Sequence, residues 1–472
     1  MDEDRFAEAG GLTTALRLLP VAAAHLRQEH RCRGPRRRLL RHQARALHAL
    51  RQWAAEHSPF YRAFHRGLHQ QPLHRLPVLD KATLMQEFDR VLTHRGLNLA
   101  GLQDHLDAGV TNGRYLGRYV VLSSSGSTGL RGIFVFDRRE WIEALAAITR
   151  PLAWSGAPRP WTRPRTAFIA STQPWHYSHR VAHDLANPLA PSLACDAAWP
   201  LATLVQRLNA WQPQVLALYP SVLAALAEEQ RAGRLRITPK HIGTSAEVMP
   251  ESLRERVRTA FGLEVFDTYG ATELAPVATQ CEHGYLHLLE DRALVEVVDE
   301  RGDPVPTGET GEQLLLTVFD RRTQPLIRYA LNDRVRELPG ICPCGRHLRR
   351  LAVVEGRREE SLSLPSAAGG APVELHPNLL HAAMERVACA GWQVRQIDLA
   401  DEAGRPSPRI EVLLVGSYDA ASAAAVEAVL QALVAQHGAI SVPLQARWVD
   451  ALPRGLSGKA PLIVRQSAGA GR

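Results

Sequence analysis

Lysine is almost missing from this chain. Lysine and arginine together number 56 in 472 residues, yet only Lys81, Lys240 and Lys459 are lysines. Where a generic positive charge suffices, arginine supplies it, so a lysine asks for a specific reason. Cysteine is sparse too, at six. That excludes a disulfide scaffold and leaves reduced thiols or metal ligands, as expected of a cytoplasmic protein. No apolar run approaches the ~20 residues that span a bilayer, so no membrane partner is expected. The start, Met1-Asp2-Glu3-Asp4 with Arg17 breaking the apolar segment that follows, makes a poor signal peptide. No Gly-Lys-Ser/Thr ending follows the glycine-rich loop described below, which excludes an ordinary P-loop NTPase.

What is present is a soluble-type composition, 45% apolar and 22% charged, long enough for two or three domains with a large core. The formal net charge is +8. Much of the excess lies in Arg31-Cys32-Arg33-Gly34-Pro35-Arg36-Arg37-Arg38. No aromatic residue interleaves with that run, as a single-strand groove would need, so it reads as a solvated helix face and no nucleic acid is expected. An anionic substrate suits a basic surface equally well.

Residues 1 to about 100 carry Leu, Ala and Trp at helical spacing, a helical leader. Beyond 115, strand and helix signals alternate, which indicates α/β layering. Strands are expected at 119–122, 133–136, 166–169, 215–219, 241–243 and 265–266, with helices at 221–231 and 250–261. After 290 the pattern turns β-rich, at 294–298 and 314–318. A boundary falls at 356–360, followed by a loose Ser/Pro/Ala/Gly segment over 361–372. The tail then reads as a small independent unit: strands at 392–399, 409–415 and 441–449 and a helix at 420–436.

The most informative stretch is Ser123-Ser124-Ser125-Gly126-Ser127-Thr128-Gly129, set between two buried strand signals. Such a loop offers backbone N–H groups and hydroxyls to phosphate oxygens. A flexible linker this short between strands would be unusual. Near the other end, Lys459 sits in Leu452-Pro453-Arg454-Gly455-Leu456-Ser457-Gly458-Lys459. A compact ammonium on a flexible stem can follow a reacting oxygen in a way that a planar guanidinium cannot.

Five segments, in order, resemble the core motifs of the adenylate-forming (ANL) superfamily, nearest its phenylacetate-CoA ligase and coenzyme F390 synthetase-like branch. They are the loop at 123–129, Asp267-Thr268-Tyr269-Gly270-Ala271-Thr272-Glu273, Arg328-Tyr329-Ala330-Leu331-Asn332-Asp333, Gly356-Arg357 with Glu359 and Glu360, and Ser457-Gly458-Lys459. His57-Ser58-Pro59-Phe60-Tyr61-Arg62 and Leu76-Pro77-Val78-Leu79-Asp80-Lys81 are similar to the N-terminal region of that branch. Three departures stand out: Leu331-Asn332 precedes the aspartate in place of Thr-Gly, Leu130-Arg131-Gly132 follows the loop without Pro-Lys, and the hinge acid is glutamate.

The resemblance implies an α/β fold, with a large multi-layer adenylation domain over 1–355, a hinge at 356–360 and a small mobile α+β lid domain over 361–472. It implies ATP, Mg²⁺ and coenzyme A, with a small carboxylic acid and a thiol acceptor as partners. The oligomeric state stays open, a homodimer included. Ser124, Ser125, Gly126, Ser127, Thr128 and Gly129 would hold phosphates. Asp267, Thr268, Tyr269, Gly270, Ala271 and Thr272 would line the ATP/AMP site, with the Tyr269 ring flanking adenine; Asp333 would bind the ribose hydroxyls, and Arg357, in the hinge motif, would also bind the nucleotide. Glu273 would hold Mg²⁺; a helix-start salt bridge is its structural alternative. Ala246 and Glu247 would approach adenine, though a helix N-terminal acid explains Glu247 as well. Trp175 and His176 would line the acid pocket, with a loop-capping role equally open for His176.

The chemistry needs such groups. A carboxylate attacks the α-phosphorus of ATP, and both partners are anionic, so the site must neutralise and align them. Lys459 would bridge them as charge develops. The activity implied is acyl-adenylate formation followed by capture on a thiol. AMP transfer of the coenzyme F390 synthetase type, or an ATP-binding relative without turnover, are the alternatives. Separately, Cys342-Pro343-Cys344-Gly345 with Cys281 and His287 makes a Cys₃His set, as structural Zn²⁺ requires. His283 is a substitute ligand, and some ligases of the resembled branch carry zinc between the same two motifs.

Overall fold

The computed structural model describes residues 11–467 except 110–112, 125–130, 160–161, 187–190, 358–360, 371, 376, 385–390, 400–406, 417–419 and 455–459. Ser125 to Gly129, Arg358 to Glu360 and Lys459 therefore lie outside the described residues.

A ten-stranded mixed sheet forms the centre. Its spatial order is Thr310–Gly311, Asp333–Leu338, Arg350–Arg357, Leu286–Leu288, Leu274–Gln280, Val265–Ala271, His241–Ser245, Val215–Leu218, Thr166–Ala170 and Ser192–Asp196. The last five pair in parallel, and helices Leu201–Trp211, Pro220–Arg231 and Glu251–Phe261 make the crossovers that parallel strands require. The other strands pair antiparallel. A second sheet, Ala293–Val298, Gln313–Val318 and Tyr329–Leu331, and the hairpin Val120–Ser123/Ile133–Phe136 complete the large unit. All eight hairpin residues are buried.

The helical leader is observed as Gly11–Cys32, Arg36–His57 and shorter helices up to Leu99–Asp107. It is bolted down by charge. Arg150, fully buried, donates to Asp291 at 2.8 and 2.6 Å and to Gln28 at 2.8 Å. Arg36 grips Glu290 with both terminal nitrogens, at 2.5 and 2.9 Å. The arginine run is thus not only a solvated face. Arg33 does stay exposed beside Glu29, 3.2 Å away. Arg36, however, anchors the run to the segment after strand Leu286–Leu288, because the turn between the two long helices sets it against Glu290.

A separate apolar cluster draws only on residues 362–463. It lies under the four-stranded sheet Leu444–Trp448, Arg409–Val415, Gly391–Asp398 and Ile463–Ser467. The expected helix is Ala420–Gln436. The expected strand 441–449 shrinks to Leu444–Trp448, since Pro443 cannot donate to a ladder. The segment read as loose, 361–372, contains half of a hairpin: Leu362–Leu364 pairs with Val373–Leu375, burying three leucines. Alternation over three residues is too short a signal to stand out among serines and glycines.

Candidate active site

The hairpin Val265–Ala271/Leu274–Gln280 and the strands Tyr329–Leu331 and Asp333–Leu338 converge on the candidate site. Strand Val265–Ala271 returns into Leu274–Gln280 through a turn holding Thr272 and Glu273, closed by the Ala271–Leu274 pair. Glu273 is therefore in a hairpin turn rather than at a helix start. Gly270 gives the turn room: a Cβ there would stand 3.2 Å from the Ala275 Cβ, a tight contact. Glu273 is buried and accepts a hydrogen bond from the Tyr329 hydroxyl at 3.0 Å. Tyr269 donates its hydroxyl to Asp333. Two motifs some 60 residues apart are so stitched into one polar cluster. Asp333 is buried at the start of its strand and pairs across the ladder with Arg357, which brings the hinge-proximal backbone beside it.

Neighbouring candidates take other parts. Asp267 turns to Thr244, which donates to it at 3.0 Å, and burial pushes its carboxyl up. Thr268 meets Thr279 across the hairpin at 3.3 Å. Ala246 has φ +73, an uncommon left-handed conformation for alanine. It turns the chain out of strand His241–Ser245. Glu247 then aims its carboxylate at Ser221, accepting from the backbone N–H at 2.8 Å and the hydroxyl at 3.1 Å.

At the mouth of the hairpin Val120–Ser123/Ile133–Phe136, the Ser124 hydroxyl accepts from the Gly132 N–H at 2.9 Å and from the Lys81 ammonium at 3.3 Å. Arg131 donates to the Ser123 hydroxyl at 2.5 Å and lies over the Trp175 ring at 5.2 Å. The Trp175 carbonyl accepts from the Ser123 N–H at 3.0 Å. Lys81 is held there by its own segment. Leu79 forms a parallel bridge to Tyr329, and Arg328 binds the Leu76 carbonyl at 2.5 Å. Lys81 and Arg131 are not among the site residues expected from sequence; the rarity of lysine is the signal that could have found the first. His176 caps helix Tyr177–Leu185, accepting from the Ser178 N–H. The capping reading accounts for that geometry.

The Cys₃His set is also brought together. One ligand atom from each of Cys281, His287, Cys342 and Cys344 lies within 4.8 Å of all the others. Cys281 and Cys342 sulfurs are 3.7 Å apart, and Cys344 Sγ is 3.4 Å from His287 Nε2. A tetrahedron with Zn–S ~2.3 Å and Zn–N ~2.0 Å has edges of roughly 3.5–3.8 Å, so the donors fit zinc. Burial, with the neighbouring thiols adding to it, pushes the Cys342 thiol up to about 12. Burial first, then Arg346, holds His287 at about 4. A neutral imidazole is what a metal takes, and a cation would draw the proton from the thiol. Trp154 packs edge-on to His287, with ring centroids 6.1 Å apart.

With this geometry in hand, comparison with known proteins is direct. Residues 120–316 match the AMP-binding enzyme family. Over parts of its length the chain is similar to phenylacetate-coenzyme A ligases. It is 27% identical over 252 residues to the phenylacetate-coenzyme A ligase of Thermus thermophilus, covering 51% of this chain and 55% of that one. It is 31% identical over 166 residues to the phenylacetate-coenzyme A ligase of Escherichia coli, covering 33% and 37%. The match thus spans about half the length of these relatives or less. Among solved structures, 2-hydroxyisobutyryl-CoA ligase in the postadenylation state superposes with TM-score 0.70 at 20% identity, covering 93% of this chain and 92% of that one. That is a likeness of fold.

Proposed function

We propose that this protein is an ATP-dependent acid–thiol ligase. It activates a small carboxylic acid as an acyl-adenylate, releasing pyrophosphate, and passes the acyl group to a thiol, with coenzyme A as the acceptor. The observation that carries this reading is the joint cluster Tyr269–Asp333 and Tyr329–Glu273. The Leu79–Tyr329 bridge and Lys81 tie that cluster to Ser124 of the phosphate loop. Asp333, acceptor-only when ionised, suits ribose hydroxyls. The Ser124–Gly129 loop, with Lys81 and Arg131 at its base, would neutralise the phosphates. Glu273, a buried hard-oxygen donor, would hold Mg²⁺, which supplies charge neutralisation of phosphate oxygens. Trp175 and His176 would face the acid, and Lys459 would steady the charge that develops between carboxylate and α-phosphorus. Residues 1–355 would form the adenylation domain and 361–472 the mobile lid about a hinge at 356–360. Cys281, His287, Cys342 and Cys344 would hold a structural Zn²⁺.

The test is pyrophosphate–ATP exchange with a panel of small aromatic and aliphatic acids, followed by thioester detection with coenzyme A. Acid-dependent exchange is expected. ATP binding without exchange for any acid would favour the non-catalytic reading. AMP transfer to a non-thiol acceptor would favour the nucleotidyl-transferase reading.

A further inference from the structure

The two long leader helices, Gly11–Cys32 and Arg36–His57, enclose a groove of about 420 Å³. Its walls are basic. Arg27 and Arg31 line it from the first helix, and Arg38, Arg41 and Arg45 from the second. The spacing is i, i+4 on one helix and i, i+3, i+7 on the other, so each set shares one helical face. Among the described residues, Arg31, Arg38, Arg41 and Arg45 make no ion pair. The acids nearby are already engaged. Arg27 and Gln28 hold Glu143, Arg33 holds Glu29, Arg36 and Arg349 hold Glu290, and Arg150 holds Asp291. Like charges at helical spacing are destabilising when nothing neutralises them. The walls are nevertheless fixed. Gln43 donates to the Glu290 carbonyl at 2.9 Å, and His42 to the Asp291 carbonyl at 2.9 Å. Those bonds face the protein, and Arg38, Arg41 and Arg45 are left exposed on the same helix. A cleft walled by one sign of charge concentrates its field on any anion that enters.

We propose that this groove is a second anion site, separate from the candidate active site, that binds a small, multiply charged phosphate group. Four unpaired guanidiniums call for several negative charges in a small space, which a polyphosphate supplies. Guanidinium forks pair with phosphate oxygens two at a time. The volume lies within the range of small-molecule sites. No Phe, Tyr or Trp lines the groove, so a nucleobase has no ring to stack on and recognition is by charge. Lys81, Ser124, Glu273 and Asp333 line no part of it, and the inference does not depend on the ligase reading. An anion here would neutralise both walls and clamp the two leader helices together. The same phosphate chemistry comes from two sources, a free polyphosphate and a phosphorylated lipid headgroup. Leu26 and Leu40, both exposed, stand beside the arginines and would meet a bilayer in the second case.

The test compares the full-length wild type with Arg31→Gln/Arg38→Gln/Arg41→Gln/Arg45→Gln, using tripolyphosphate as the probe at about 0.15 M ionic strength. Any binding near Lys81 and Ser124 is common to both proteins and cancels in the comparison. Calorimetry should show binding weaker by roughly tenfold or more in the variant. The rise in melting temperature that tripolyphosphate gives the wild type should shrink in step. Without ligand the variant should melt no lower than the wild type, because the substitutions relieve repulsion. Should four changes disturb the helices, Arg41→Gln/Arg45→Gln is expected to give a smaller loss in the same direction. Equal affinity in wild type and variants overturns the site. So does an equal melting shift from sodium chloride at matched ionic strength. A second arm separates the sources: sedimentation with phosphatidylcholine vesicles carrying phosphatidic acid. Vesicle binding that the variant loses and tripolyphosphate displaces assigns the site to a lipid headgroup. Tripolyphosphate binding without vesicle binding assigns it to a free polyphosphate. Failure of both arms overturns the proposal.

Discussion

At the residue scale, the sharpest consequence concerns Lys459. If it meets the carboxylate and α-phosphate oxygens, Lys459→Ala should reduce acyl-adenylate formation by on the order of a hundredfold or more. A preformed acyl-adenylate should still reach the thiol at near wild-type rate. ATP affinity should change little, since Asp333 and Ser124 belong to the large unit. Running both half-reactions on one preparation checks this. Equal loss in both would mean a damaged fold, and no loss in either removes Lys459 from the site. Glu247 shows what a residue-level reading misses. In sequence it looks like an acid near adenine or at a helix start. In the fold it bonds Ser221 and Ala460, more than 200 residues apart, and no local pattern could announce that.

At the element scale, the Cys/His knuckle ties the turn after strand Leu274–Gln280 to the one before Arg350–Arg357. It also sits against Trp154, whose indole donates to Glu29 on the first helix at 2.7 Å. Zinc there would brace sheet and helical leader together. Purified, chelator-free protein should therefore carry about one zinc per chain. The double substitution Cys342→Ser/Cys344→Ser should release it and lower the melting temperature. Elemental analysis finding no metal in freshly prepared wild type would defeat the site. The spacing of these cysteines was readable from sequence, because a Cys-Pro-Cys-Gly turn is a local signal. Their meeting with Cys281 and His287 depends on the antiparallel pairing of Arg350–Arg357 with Leu286–Leu288.

At the scale of the whole molecule, buried histidines set a pH limit. Burial holds His241 at about 4, and His65 is also held at about 4, by burial first and then by Arg51 and His69. Unfolded, each takes a proton near 6.5. Between those values the unfolded chain binds more protons, so stability is full above about 6.5 and is lost as pH falls toward 4. Each group contributes at most roughly 3 kcal/mol to that loss. The raised carboxyls of Glu140 and Asp267 act in the opposite direction. Denaturant melts at pH 7 and pH 4.5 on wild type and His241→Asn isolate the effect. The drop between the two pH values should be smaller in the variant by about one histidine's share. An unchanged drop would refute the assignment.

The sequence by itself determined the alternation of strands and helices, their near-correct bounds and the ordered motifs that carry the resemblance. These are local properties: a period of 2 or 3.6, a turn residue, a short run of glycine and hydroxyl. Strand Arg409–Val415 and helix Ala420–Gln436 were legible to the residue for that reason. What only the tertiary structure decided is who meets whom. The pairing of Tyr269 with Asp333, of Tyr329 with Glu273, of Lys81 with Ser124 and of Glu247 with Ala460 each joins residues more than 40 positions apart. Such contacts follow from sheet order and register, which the burial of whole faces selects, and a single chain read along its length carries no local record of them.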